Sequence, residues 1–150
     1  MKKNYAIIFV FLFTFLSCEK DDICVESTTP NLIIKFYDND DQTVVKQITE
    51  LTVWADSKDS IYVNKSLDSI SIPLNLNENF TKYILESNTI KDTIKFTYSR
   101  NDIFVSRSCG YKTIFENFQI ESNTTNWIKN ISIINSTIDN EKAAHIYIFH

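Results

Sequence analysis

From Pro30 onward the chain alternates apolar and polar residues in short runs, and clusters of Asp, Asn and Ser separate the runs. A period of two puts successive side chains on opposite faces, so these runs predict half-buried β-strands and exclude helices there. The clearest covers 68–76, with Ile70, Ile72, Leu74 and Leu76 on one face and Ser69, Ser71, Pro73 and Asn75 on the other. Pro73 cannot donate to a ladder, which predicts an edge strand or a bulge at that point. Residues 90–98 repeat the pattern, with Ile94, Phe96 and Tyr98 facing inward. Further strands are expected over 32–37, 43–47, 51–55, 81–86, 103–109, 113–120, 127–134 and 144–149. Turns are expected at 38–41, 56–59, 77–79, 99–102 and 122–126, because Asx and Ser side chains hydrogen-bond the local backbone. Gly110 is expected to take a positive φ at a hairpin turn. About eight to ten such strands, without helical stripes, predict an all-β, immunoglobulin-like Greek-key β-sandwich over residues 31–150.

Composition narrows the function classes. The 150 residues are 43% hydrophobic, with eleven Phe and seven Tyr, enough to fill the core of one domain. A lone glycine excludes Gly-rich phosphate loops and dinucleotide fingerprints, which need several close together. The formal charge of -4 falls to about -6 once Lys2 and Lys3 are removed with a leader, and such a chain repels nucleic acid and anionic lipid. No nucleic-acid partner is expected.

The leader is visible in the first residues: Lys2 and Lys3, the apolar run 6–16, then Ser17-Cys18. Eleven helical residues would span roughly 16 Å, too short to cross a bilayer. A small residue directly before Cys at the end of an apolar run resembles the lipobox of bacterial lipoproteins, with Phe15 where Leu is usual. That resemblance implies cleavage after residue 17, acylation of Cys18 and anchoring by two or three acyl chains. Residues 18–30 would then be the lipidated cysteine and its acidic tether. Glu19-Lys20-Asp21-Asp22 resembles the tag on Bacteroidota lipoproteins sent to the outer face of the outer membrane, which implies surface exposure; attachment facing the periplasm is the alternative. With Cys18 acylated, Cys24 and Cys109 form an even pair in an oxidising compartment and are expected to be bridged. The chain-entropy model gives roughly 4–5 kcal/mol for a loop of that length.

Catalytic chemistry is not expected. His145 and His150 have no nucleophile elbow or metal partner by spacing, and no cofactor or metal site is read. Asp38, Asp40 and Asp41 could offer oxygens to Ca²⁺, but without the glycine and distal Glu of an EF-hand they read as an acidic turn. Trp54 and Trp127 are the candidate ligand-binding aromatics, in competition with a core role. Asp59-Ser60-Ile61, Asp68-Ser69-Ile70 and Asp92-Thr93-Ile94 resemble the O-glycosylation triplet of exported Bacteroidota proteins, which would place glycans on Ser60, Ser69 and Thr93. Outward-facing hydroxyls that simply decorate strands are the alternative.

Leu32–Tyr37 after Thr29-Pro30, Asp68-Ser69-Ile70 leading to Pro73-Leu74-Asn75, Asp92-Thr93-Ile94 with Phe96 and Tyr98, and Phe104-Val105-Ser106 before Cys109-Gly110-Tyr111 together resemble an uncharacterised lipoprotein family of Bacteroidota. The resemblance implies a secreted, membrane-anchored β-domain with no assigned activity. The expected function is a non-catalytic binding or assembly module at the outer membrane, with the bilayer as one partner and an envelope protein or glycan as another. A glycan-binding accessory lipoprotein would need an exposed aromatic platform, and a small envelope hydrolase would need converging acids or a His-linked nucleophile.

Overall fold

A computed structural model describes residues 23–26 and 28–150 of the chain, and they contain nine strands and no helix. The strands are β1 (Leu32–Tyr37), β2 (Ile48–Ala55), β3 (Ser60–Leu67), β4 (Ser69–Ile72), β5 (Phe80–Ser87), β6 (Ile90–Ser106), β7 (Gly110–Asn123), β8 (Asn130–Ile133) and β9 (Ile146–Phe149). They form a four-stranded sheet in the order β4-β1-β9-β8 and a five-stranded sheet in the order β3-β2-β5-β6-β7. All neighbours are antiparallel except β1 and β9, which run parallel at the centre of the smaller sheet. This is the all-β, immunoglobulin-like sandwich expected from the alternation.

The inner faces meet in one core. Leu32, Ile34 and Phe36 of β1, with Ile70, Ile72, Ile146 and Ile148, pack against Leu51, Val53, Tyr83, Leu85, Ile94, Phe96 and Tyr98 of the larger sheet. Fully burying an aliphatic or aromatic side chain of this size contributes about 1.5–3 kcal/mol. The shared period of two along β1, β5 and β6 thus becomes a common buried layer.

Several local expectations change. Residues 43–47 form no strand: only a single bridge, Tyr37 with Val45, follows the acidic turn, and Val44 and Val45 are exposed. Residues 99–102 are not a turn but lie inside β6, which continues with β7 as a long two-stranded arm. A separate strand, β3, occupies 60–67; it lies at a sheet edge with almost every side chain exposed, so no inward row marks it. Strand β4 ends at Ile72, immediately before Pro73, and is an edge strand. Leu76, expected to face inward, is exposed on the following turn. Gly110 does take a positive φ, 72°, at the tip of the β6–β7 hairpin.

Bulges explain the irregular faces. Phe115 and Phe118 are three residues apart, which strict alternation would send to opposite faces, yet both are buried. Asn117 between them has φ 53° and sits in a register shift where β7 carries an extra residue against β6. Glu50, also at φ 53°, does the same between Ile48 and Leu51 on β2. The outer edge of β7 is covered: Phe115 and Ile138 exchange backbone hydrogen bonds of 3.0 and 2.7 Å, and the Thr113 N–H donates to Thr29 Oγ1 at 3.0 Å. Covering an edge in this way blocks strand addition by other chains.

Candidate functional site

An open cleft of about 700 Å³ lies between the β2–β3 turn, the 73–79 loop and the start of β5. Its lining mixes apolar groups, Leu74, Leu76 and Phe80, with Asp56, Lys58 and Lys82. Two tyrosines build the wall. Tyr98 faces the core by alternation, and its hydroxyl needs a partner there. It donates to the Asn75 carbonyl at 3.0 Å and contacts Thr81 Oγ1 at 2.5 Å, while the Asn75 N–H donates to Thr81 Oγ1 at 2.8 Å. The three bonds form a closed ring that satisfies every group in it. Tyr83 donates from its hydroxyl to the Pro73 carbonyl at 2.6 Å. The far side of the loop is held by Arg100, which donates to Asn79 Oδ1 at 2.8 Å and to the Leu76 carbonyl. The loop is therefore a preorganised wall. Burial pushes both tyrosine hydroxyls above their ordinary range, so they serve as neutral hydrogen-bonding groups.

The charges around the cleft are partly paired. Lys82 Nζ lies 3.4 Å from Asp56, and Lys95 Nζ sits 4.9 Å from the centre of the Phe80 ring. Exposed pairs of this kind contribute little stability and mainly set the local charge pattern. The cleft thus presents both apolar and charged groups to solvent.

The sequence-level candidates lie elsewhere. Trp54 and Trp127 are both half-buried. Lys91 Nζ sits 5.5 Å from the Trp54 ring centre, and the Trp127 indole N–H donates to the Leu85 carbonyl at 3.2 Å while its ring packs against the core. Ser60 opens β3 and Ser69 opens β4, both exposed. Thr93 is half-buried, and its N–H donates to Thr124 Oγ1 at 2.9 Å. Cys24 and Cys109 are joined by a disulfide, their Cα atoms 4.9 Å apart. Cys18 and the leader over 1–17 lie outside the described residues.

The alternation pattern did not single out the buried role of Asp92. Asp92 is fully buried and accepts four hydrogen bonds: from Thr124 Oγ1 at 2.6 Å and from the N–H groups of Asn126, Trp127 and Ile128 at 2.8, 2.7 and 2.8 Å. Burial alone would raise its pKa, but these bonds together outweigh that and hold it below the ordinary value. The available signal was an acid at an inward position of the 90–98 alternation, which only a donor-rich partner could satisfy. His145 is also buried: its Nδ1 accepts from the Ile33 N–H at 3.0 Å and its Nε2 lies 3.0 Å from the Asn140 carbonyl. Together these fix a neutral ring protonated on Nε2, a structural latch between β1 and the loop before β9.

In the acidic turn the Asp38 and Asp41 carboxylates are held locally, Asp41 accepting from the Thr43 N–H and hydroxyl at 3.1 and 2.6 Å. Asp38 pairs with Lys46 at 2.9 Å and accepts from the N–H groups of Asp40 and Asp41 at 2.7 and 3.3 Å, so its pKa drops to about 2, with Lys46 the largest cause. Among the described residues no cluster of three or more His, Cys, Asp or Glu side chains could hold a metal ion.

Residues 50–150 match the model of a family of unknown function, DUF6452. The chain belongs to this family. No curated protein and no solved structure matches it. The DUF6452 match begins inside β2, yet β1 lies before it and pairs with both β4 and β9. The folded unit of this DUF6452 chain therefore extends upstream of the matched segment.

Proposed function

We propose that this chain is an exported lipoprotein, acylated at Cys18 and held at the outer membrane, whose sandwich is a non-catalytic module that binds a protein partner. The observation that carries the reading is the Cys24–Cys109 bridge, six residues behind the lipobox-like Ser17-Cys18. Such bonds persist in oxidising compartments, which agrees with export. The resemblance to Bacteroidota lipoproteins and the Lys20-Asp21-Asp22 tag favour outward exposure. The docking surface in this reading is the cleft over β5. Its mixed apolar and charged lining suits a polypeptide segment better than a sugar, because Lys91 covers Trp54 and the Trp127 indole is committed to Leu85. If the Asp-hydroxyl-aliphatic triplets carry glycans, the exposed Ser60 and Ser69 are the acceptors rather than Thr93.

Two measurements on intact cells test this reading. Cys18→Ser should move the protein from the membrane fraction to the soluble one. A photo-reactive residue at position 76 should crosslink one discrete protein partner, while one at position 90, at the start of β6 and away from the cleft, should not. A serine variant that stays bound removes the anchor, and position 76 behaving like position 90 removes the cleft as the docking site.

A further inference from the structure

The end of the molecule carrying the disulfide is unusually apolar for a surface. Four large side chains are open to solvent there: Ile23 at 82%, Val25 at 86%, Phe104 at 58% and Tyr111 at 71%. Phe104 and Tyr111 are cross-strand partners near the tip of the β6–β7 arm, with rings 5.4 Å apart edge to face. Ile23 and Val25 flank Cys24, which the disulfide joins to Cys109 at the same tip. Farther along, Thr29 meets the edge of β7, where its Oγ1 accepts from the Thr113 N–H at 3.0 Å. The bond has no need of exposed aromatic rings, so the patch calls for a separate explanation.

Chain length supplies one. Cys18 precedes Cys24 by six residues, and a fully extended chain of six residues reaches only about 20 Å. The disulfide transfers that limit to the hairpin tip: with the Cα atoms of Cys24 and Cys109 4.9 Å apart, an acyl group on Cys18 would hold Cys109 within about 25 Å of the bilayer surface, whatever path the intervening residues take. Aromatic rings and aliphatic side chains next to a cation suit the headgroup region, where apolar bodies sink and charged ends stay wet. Arg107, exposed at the turn, supplies the cation.

We infer that the tip of the β6–β7 arm, stapled to the tether by Cys24–Cys109, is a membrane-contact surface: Phe104, Tyr111, Ile23 and Val25 enter the lipid interface and fix the orientation of the sandwich. This rests on the lipoprotein reading above. One consequence is geometric. Ile90, at the other end of β6, is fourteen residues from Phe104, so that end stands roughly 45 Å farther along the strand.

The test uses the full-length acylated protein, extracted from membranes and reconstituted into phosphatidylcholine vesicles with brominated acyl chains. Phe104→Trp and Ile90→Trp each add one indole at an exposed position, and the wild-type signal from Trp54 and Trp127 is subtracted. The expected result is co-flotation of both variants with the vesicles, a strong loss of added emission in F104W and none in I90W. Co-flotation with equal, unquenched emission overturns the contact surface and leaves the anchor standing. A blue shift of F104W without bromine quenching places protein rather than lipid over the rings and also overturns it. Protein that carries no acyl mass and fails to float removes the anchor and the inference together.

Discussion

At the residue scale, Asp92 shows how one polar group can organise a sandwich. It lies at an inward position of β6, where an unpaired carboxylate would be prohibitive, and it closes the 124–128 segment over the sheet by gathering four donors. Asp92→Asn keeps the shape but replaces one acceptor oxygen with an NH₂ group aimed at backbone N–H donors. The expected loss is about 2–4 kcal/mol of unfolding free energy, read from urea midpoints, with local exchange of the 126–128 amides rising first. The wild-type stability from this group is present above the ordinary carboxylate value of 3.8 and is lost as pH falls through the lower folded value. The same commitment sets Thr93 apart from Ser60 and Ser69, although all three follow an Asp.

At the element scale, the β5–β6 connection and the long arm carry the backbone's special conformations. Ser87 pairs with Ile90, so the turn has two residues, Asn88 and Thr89, with φ 48° and 70°. Two positive φ values make the turn that matches strand twist, and Asn tolerates the left-handed region better than a β-branched Thr. Thr89→Gly is therefore expected to raise the unfolding free energy by about 0.5–1 kcal/mol, while Asn88→Gly changes it little. A denaturant titration of both variants checks this, and a destabilised T89G would contradict it. The absence of a strong turn dipeptide at 88–89 also made this hairpin hard to read. Gly110 signalled the next hairpin clearly, because a single glycine between apolar runs has an evident steric use.

At the scale of the whole molecule, the weakest seam under acid is the parallel β1–β9 pair at the centre of the smaller sheet. A histidine stands at each end of it. The His145 N–H donates to the Ile33 carbonyl at 2.9 Å, and the His150 N–H donates to the Tyr37 carbonyl at 3.1 Å. Burial holds both rings below their ordinary value of 6.5, with hydrogen bonds to backbone carbonyls opposing it only in part. Protonating His145 would turn Nδ1 into a donor facing the Ile33 N–H. The sign follows: the unfolded chain takes up protons near pH 6.5 before the folded one does, so stability is full above that pH and falls below it. Each such histidine contributes at most about 1.4 kcal/mol per pH unit. Thermal unfolding followed between pH 7.5 and 5 should show this decline. His145→Asn, which retains an acceptor near the Nδ1 position without a titrating ring, should flatten it in part; a wild-type curve level over that range would refute the assignment.

What the sequence determined by itself was the class of backbone and the identity of its buried rows. Alternation is a local property, so β1 was legible to its boundaries and Ile94, Phe96 and Tyr98 were placed inward correctly, as was the turn at Gly110. Tertiary structure decided the rest, because those features depend on distant residues. The bulges at Glu50 and Asn117 let residues three apart share a face, which no periodicity can announce. β3 is held by pairing with β2 and has no buried row of its own. β1 finds its parallel neighbour more than a hundred residues away, at β9. Only the assembled sandwich brings donors to Asp92, closes the Asn75–Thr81–Tyr98 ring and carries the Cys24 segment to the tip of the arm, because hydrogen bonding and burial belong to neighbours in space.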